Sequence, residues 1–391
     1  MSGPGGGSGV TLETVFAQTL ALYLRPVQQY LDDPKVSEVL INGPDEIYVE
    51  VGGKLQPTDA RFEHADHVFA LAKNIAQYVG RTLDWENPLL DARLPNGSRV
   101  HITLPPVARK GICIAIRKFF REALTVEKLL GFGSLTQAAA DFLDACVKTE
   151  MNVIIAGGTG SGKTSLLNVM SSFIPESQRI IVIEDSTELQ LQKPHLLYYE
   201  TRPADRQGRG EVTIRHLFRS AMRMRPDRVV IGEVRGGEAL DMIQAMVSGH
   251  KGSMSTTHAS TPRETLSRVE TLCLMGDVEM PLWALRSQIS MALDVIVQVS
   301  RFHDGSRKLT HISEVLELND GQYQLRDLFV FKTEGRDEDG KILGRLEPTG
   351  RLPTFAEQIK VAGLRFPKEM LDAARARRAE RERRRAAPSG G

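Results

Sequence analysis

Gly157-Gly158-Thr159-Gly160-Ser161-Gly162-Lys163-Thr164 decides how this chain is read. The stretch fits the pattern G-x-x-x-x-G-K-[ST] at every position. Asn152-Val153-Ile154-Ile155-Ala156 before it reads as a short buried strand, and Ser165-Leu166-Leu167-Asn168-Val169-Met170 after it reads as an opening helix. Strand, glycine loop and helix in that order cradle a nucleotide. The glycines let backbone N–H groups turn inward onto phosphate oxygens, and the helix N-terminus adds partial positive charge. The expected nucleotide-binding set is therefore Gly157, Gly158, Thr159, Gly160, Ser161, Gly162, Lys163, Thr164 and Ser165. Lys163 is placed to reach the β- and γ-phosphates, and the Thr164 hydroxyl to ligate Mg²⁺.

Outward from this loop, apolar runs alternate with helical patterns. Strands are expected at 153–156, 179–184, 228–232 and 252–257, and helices at 163–173, 213–224 and 237–247. That alternation predicts an α/β fold with a mostly parallel sheet covered on both faces. Residues 12–130 have a different texture: a helix over 12–31, strands near 36–42, 46–51 and 112–117, a helix over 65–78 and a hairpin over 89–106. They predict a smaller α+β domain with an antiparallel sheet. Residues 136–148 read as a helix with Ser134 as N-cap. The expected order is a flexible stretch at 1–11, the α+β domain at 12–130, the nucleotide domain with its C-terminal extension at 131–364, and a basic, disordered tail at 365–391. Such a tail also attracts anionic lipid or nucleic acid.

A length of 391 residues leaves room for roughly two to three domains. The net charge of +1 provides no global field to draw in nucleic acid or membrane. Cys113, Cys146 and Cys273 lie far apart, without metal-ligand spacing, and suit packed thiols in a reducing compartment. No apolar run approaches the roughly 18 residues of a membrane span. The N-terminal residues have neither a basic region nor an apolar core, so a signal peptide is not expected and the expected location is cytoplasmic.

Phosphoryl transfer also needs a carboxylate for water and cations for developing charge. Val229-Val230-Ile231-Gly232-Glu233 is an apolar strand that ends in Gly-Glu, leaving Glu233 to act on water. Ile180-Ile181-Val182-Ile183-Glu184-Asp185 ends in two acids, and Glu184 is a candidate to bind Mg²⁺ through water or to share the orienting role. His258 ends a further strand, where it can sense the γ-phosphate directly or through water; His250 is expected to hydrogen-bond a neighbouring strand. A zinc site does not fit this spacing. Arginine clamps phosphate with two donors at once, which makes Arg99, Arg117, Arg202, Arg219 and Arg235 candidates.

Four runs together carry a resemblance. They are the loop, Ile183-Glu184-Asp185-Ser186-Thr187-Glu188-Leu189, Pro226-Asp227-Arg228-Val229-Val230-Ile231-Gly232-Glu233-Val234-Arg235-Gly236, and Gly249-His250 through His258-Ala259. The chain resembles the ATPase superfamily of type II and type IV secretion and type IV pili. It is most similar to the CpaF (TadA) branch of tight-adherence pilus motors. Asp91-Ala92-Arg93-Leu94-Pro95-Asn96-Gly97-Ser98-Arg99-Val100, Gly236-Gly237-Glu238-Ala239-Leu240-Asp241-Met242 and Thr349-Gly350-Arg351-Leu352-Pro353-Thr354-Phe355 point to that branch. Lys251, where the branch often has an acid, and Ser260, where asparagine is usual, depart from it.

The resemblance implies a RecA-like domain and a homo-hexamer that hydrolyses ATP with Mg²⁺. It also implies peripheral attachment to inner-membrane platform proteins from the cytoplasmic face, with assembly or retraction of a pilus as the work done. Glu233 then matches the catalytic glutamate, Glu184 the acid of the second run, and Arg99 and Arg117 the N-domain arginines that approach the γ-phosphate. Two other classes stay open: a secretion ATPase for protein or DNA, and an ATP-binding assembly switch with little turnover. A nucleic-acid translocase is disfavoured by the near-neutral charge and the lack of an aromatic-basic stripe.

Overall fold

A computed structural model describes residues 12–119, 124–205, 207–276 and 278–386, so the expected flexible stretch at 1–11 lies outside the described residues. The chain divides into two compact units between Arg121 and Glu122. The expectation put the division after residue 130.

In the first unit, α1 (Leu12–Leu24) and α2 (Gln28–Asp32) are separated by a 3₁₀ turn at Arg25–Val27, where Pro26 interrupts the longer helix expected from the apolar spacing. Strands β1 (Val36–Asn42), β2 (Ile47–Val51) and β3 (Lys54–Pro57) follow, then α3 (Ala65–Tyr78), β4 (Leu89–Arg93), β5 (Arg99–Thr103) and β6 (Cys113–Arg117). All pairings are antiparallel, in the order β3-β2-β1-β6-β5-β4. Alternate residues such as Val39, Ile41, Val100, Ile102, Ile114 and Ile116 are buried. They share one core with Val68, Leu71 and Ile75 of α3. This is the one-sided pattern of a sheet covered by a helix. The β2–β3 turn uses Gly52 and Gly53, both at positive φ (57° and 80°), as a tight hairpin with this twist requires.

In the second unit, α4 (Val126–Gly131), capped by the Thr125 hydroxyl, precedes α5 (Gln137–Lys148). Leu129 is buried in the core of this unit, which explains why α4 goes with the second unit rather than the first. Thr136, not Ser134, occupies the N-cap of α5; the Ser134 hydroxyl donates to the Arg307 carbonyl instead. The chain continues through β7 (Val153–Gly157), α6 (Lys163–Ser171), β8 (Ile180–Glu184), β9 (Leu196–Glu200), α7 (Ile214–Ala221), β10 (Arg228–Ile231), α8 (Glu238–Val247) and β11 (Met254–Thr257). It ends with α9 (Pro262–Leu274), α10 (Leu282–Ala292), β12 (Val295–Arg301), β13 (Arg307–Asn319), β14 (Gln322–Arg336), β15 (Ile342–Pro348), α11 (Ala356–Val361) and α12 (Lys368–Ala386).

These strands form one mixed sheet in the order β15-β14-β13-β12-β7-β11-β10-β8-β9. Pairings from β12 to β9 are parallel, and those from β12 to β15 are antiparallel. Along β7, Val153 and Ile155 enter one core with α5 and α6, while Ile154 and Ala156 enter the other with α7 to α10. Burial on both faces is what makes these strands continuous apolar runs. Over residues 365–386 the chain is not the disordered tail expected from composition; the last five residues of that expected tail lie outside the described residues. Phe366 and Met370 are buried, and the Phe142 ring stacks near Phe355 and Phe366, with centroids 6.5 Å and 6.4 Å away. From that anchor α12 continues outward, with i,i+4 pairs such as Arg378–Glu382 along it.

Several charged side chains are buried in this unit, Arg228 among the most deeply. Arg228 is 1% exposed, with Nε donating to Gln178 Oε1 (2.7 Å) and Nη2 to the Val147 carbonyl (2.7 Å). Its guanidinium fills the space where a side chain on Gly252 would begin, and Gly252 sits at φ +71°. Gly208 has a similar φ of +73° with open space around it. Gly208→Ala should therefore cost only the left-handed strain, about 1 kcal/mol. Gly252→Ala must also displace the guanidinium and should cost at least about 2–3 kcal/mol more, because a buried charge then loses its donors' partners. Paired thermal melts of the two variants check this; equal losses would remove Arg228 from the account.

Candidate functional site

The site is assembled at the C-terminal ends of β7, β10 and β11, where the parallel strands deliver three turns to one edge. Gly160 (φ +67°) and Gly162 (φ +96°) take left-handed conformations, and Gly162 occupies the N-cap of α6. Gly157 has no room for a side chain: one would strike the Ser161 hydroxyl and come within 2.5 Å of the Val299 carbonyl. The Ser161 hydroxyl is buried without a protein partner. An orphaned donor inside a glycine-built turn at a helix N-terminus fits a phosphate group, so the residues present suit the nucleotide the sequence predicts.

Lys163 is only 8% exposed. Its Nζ donates to the Gly158 carbonyl (3.2 Å) and lies 3.3 Å from Nε2 of His258. His258 Nε2 is also 3.4 Å from the Thr159 hydroxyl, and its Nδ1 contacts Glu233 Oε1 closely. A lysine ammonium only donates, so Nε2 must accept and Nδ1–H must donate to the carboxylate. His258 thus bridges Glu233 to the phosphate loop. Gln298 on β12 donates to the Ala259 carbonyl (3.0 Å) and steadies the turn just after His258.

Glu233 holds a second partner. Its Oε2 accepts from Nε (2.9 Å) and Nη2 (2.6 Å) of Arg235, whose Nη1 also lies 3.5 Å from Asp185. Burial pushes the Glu233 carboxyl up. The hydrogen bond and charge of Arg235, with His258 and Lys163 behind them, outweigh that and hold it below the usual carboxylate range. Arg235 was expected to clamp phosphate; here its guanidinium is committed to the two acids. Asp185 is a partner the sequence gave no separate role.

Glu184 is 4% exposed. It accepts the backbone N–H groups of Glu188 (3.0 Å) and Leu189 (3.2 Å) and packs against bare Gly232, where a side chain would come within 2.8 Å. In this structure it fixes the turn after β8 and the start of the Gly232–Glu233 turn. The Thr256 hydroxyl donates to the Gly232 carbonyl (2.7 Å) from β11. Thr164 and Ser165 lie in the first turn of α6, the place from which a hydroxyl would hold Mg²⁺. A cleft of about 430 Å³ opens beside Gly158, Thr159 and His258, with Ser260, Glu264 and Arg268 on its far wall.

The remaining arginines are placed elsewhere. Arg202 donates from Nε to the Gly210 carbonyl (2.7 Å) and pairs through its backbone with Val212. Arg219 shares Asp241 with Arg215, at 3.0 Å and 2.7 Å. These contacts make both arginines structural in this arrangement. In the first unit, Arg99 stands directly opposite Arg93 on β4 and Arg117 on β6. Three cations in one cross-strand row repel one another unless an anion or carboxylate offsets them; Glu38, 3.7 Å from Arg117, offsets one. Two cations beside the loop, Arg301 and Arg307, went unnoticed in the sequence, because only the β12–β13 register brings them there.

Among the described residues no helix is long and apolar enough to cross a membrane. The family described as type II/IV secretion system protein matches residues 22–327. A protein of Mycobacterium tuberculosis provisionally assigned to conjugal transfer is 37% identical over 294 residues, 74% of this chain and 83% of that protein. The type IV secretion system protein VirB11 of Brucella suis is 33% identical over 327 residues, 76% and 90% of the two chains. The ATPase DotB of Legionella pneumophila has a similar fold, with a TM-score of 0.53 at 18% identity over 80% of this chain and 83% of that one. With three quarters of its length matched by the family's sequence pattern, the chain belongs to the type II/IV secretion system protein family.

Proposed function

We propose that this chain is a RecA-like ATP hydrolase, the hexameric motor of a tight-adherence type IV pilus. It drives pilus assembly through inner-membrane platform proteins from the cytoplasmic face. The observation that carries the chemistry is the His258 bridge, which joins Glu233 on one strand end to Lys163 in the phosphate loop. The residues Asp91–Val100 and Thr349–Phe355 support the pilus branch.

On this reading Lys163 leaves the Gly158 carbonyl and donates to phosphate oxygens, while the Ser161 hydroxyl gains the acceptor it lacks. Thr164 would hold Mg²⁺, with Glu184 behind it; the ion supplies charge neutralisation on the phosphates. Glu233, already ionised, orients water and takes its proton as the water oxygen bonds to the γ-phosphorus and ADP leaves. His258 keeps Glu233 in register with the loop.

A second reading is a type IV secretion ATPase for protein or DNA, favoured by the 33% identity to VirB11. A strain lacking this chain separates them: loss of surface pili with export intact supports the motor, and the reverse supports secretion.

Glu233→Gln should keep ATP binding and lose turnover by about 10²–10⁴-fold, as removal of a general base does. The assay is steady-state hydrolysis on size-resolved oligomer. Turnover confined to the wild-type hexamer supports the motor; binding without turnover in every fraction favours an assembly switch.

The pH profile carries a sign. With its pKa lowered, Glu233 stays ionised from neutrality down through about pH 5, so its protonation should not limit kcat/KM there. Arg235→Ala removes the largest lowering influence and leaves burial to push the carboxyl up. The acid limb of kcat/KM should then move to higher pH; an unmoved limb would detach Arg235 from Glu233 during catalysis.

A further inference from the structure

The phosphate loop is also held from outside. Arg307, the first residue of β13, donates from Nε to the Gly160 carbonyl at 2.8 Å. Arg301, at the end of β12, is its direct cross-strand partner. The Arg301 Nη1 lies 3.3 Å from where a Gly160 side chain would begin, and Arg307 Cδ lies 3.5 Å from the same point on Gly162. Two arginines directly opposite on antiparallel strands repel, so the pairing needs a compensating acceptor. A cradle that turns N–H groups inward turns carbonyls outward. Arg307 receives one of those carbonyls and brings positive charge to the rim of the cradle.

The same strand end holds a second piece of chain. The Arg307 carbonyl accepts from the Ser134 hydroxyl, and Leu309 N–H donates to the Ser134 carbonyl at 3.0 Å. Buried Lys308 donates to the Phe132 and Gly133 carbonyls, both at 3.0 Å. The hairpin tip is pinned in turn by Asp304, which accepts from Ser306 N–H (2.8 Å) and from Ile342 N–H of β15 (2.7 Å). Residues 307–309 therefore grip the loop with a side chain and the segment 132–134 with backbone and lysine. That segment follows α4, just beyond the division between the two units.

We propose that Arg307 is a positioning residue of the nucleotide site, shaping the phosphate loop from outside and making residues 132–134 respond when the loop is filled. The inference rests on reading the loop as a nucleotide site. Whatever the Arg307–Gly160 contact adds to nucleotide affinity, bound nucleotide returns to the contact, because linkage is reciprocal.

The test uses the full chain, wild type against Arg307→Ala and Arg307→Lys. It reads ADP affinity, KM and kcat for ATP, and amide hydrogen exchange at 132–134 and 309 with and without ADP. Arg307→Ala should raise the ADP Kd and the ATP KM about tenfold, the loss expected for a charge-assisted hydrogen bond, and leave kcat within about twofold. Arg307→Lys, which keeps a charged donor, should recover most of the affinity. ADP should slow exchange at Ser134 and Leu309 in the wild type and not in Arg307→Ala. Unchanged affinity and unchanged protection in Arg307→Ala would overturn the inference while leaving the nucleotide reading intact. A wild type that binds no ADP would overturn that reading, and the inference with it. Should the alanine variant melt early, Arg307→Lys against Arg307→Met decides: equal ADP affinity in these two chains of similar length refutes the positioning role.

Discussion

Everything at the candidate site depends on β7 being buried on both faces. Its alternate residues enter two separate cores; β12 pairs with it from Val153 to Gly157 and β11 from Val153 to Ala156. A strand so constrained cannot tilt or slip, because a one-residue shift would exchange the two sets of side chains. The glycine loop that follows inherits that rigidity at its start and the α6 axis at its end. The turn between them, held from outside by Arg307 at the Gly160 carbonyl, is where an anion would be enclosed.

The charges at the site balance one another in this structure. Lys163 is shared between a loop carbonyl and His258, His258 is held by Glu233, and Glu233 is held by Arg235. Lys163 and Glu233, the less exposed members, would be costly to bury alone. Chained together they keep the Glu233 carboxylate ionised and its pKa below the ordinary value, while Arg235 and His258 themselves remain exposed. Arg235 is then best understood as the counter-ion that lets a half-buried glutamate remain a base, rather than as a phosphate ligand. Glu184 has an equally indirect part: it shapes the turn that presents Glu233.

Much of this was legible in the sequence because the signals were local. The loop pattern, the apolar strands ending in Glu184 and Glu233, and His258 at a strand end all depend on residues close in the chain. What was not legible depends on distance. The sequence shows Arg301 and Arg307 only as two charges flanking a turn; hairpin register makes them neighbours of Gly160. Composition made 365–391 look disordered, since arginine dominates it, but Phe366 and Met370 lock its start into a core set by Phe142. Helix α9 carried a readable start, Thr261-Pro262 with Glu264 behind it, and the Thr261 hydroxyl does cap Glu264 N–H. Its apolar stripe is narrow, so its helical period is weak in the sequence. Ser134 looked like a cap because it precedes a helix by chemistry; its hydroxyl was claimed by β13.

The strand order has a consequence for how the molecule comes into being. β7 lies between β11 and β12, both of which follow it far along the chain. Until Val295–Arg301 has been synthesised, one edge of the most apolar strand in the second unit has no partner. Its pairings are parallel and distant, and these are the slowest kind to form. An unpaired apolar edge in a nascent chain is also a template for aggregation. The segment that later becomes the rigid floor of the site is, during synthesis, an apolar strand whose edges wait for distant partners.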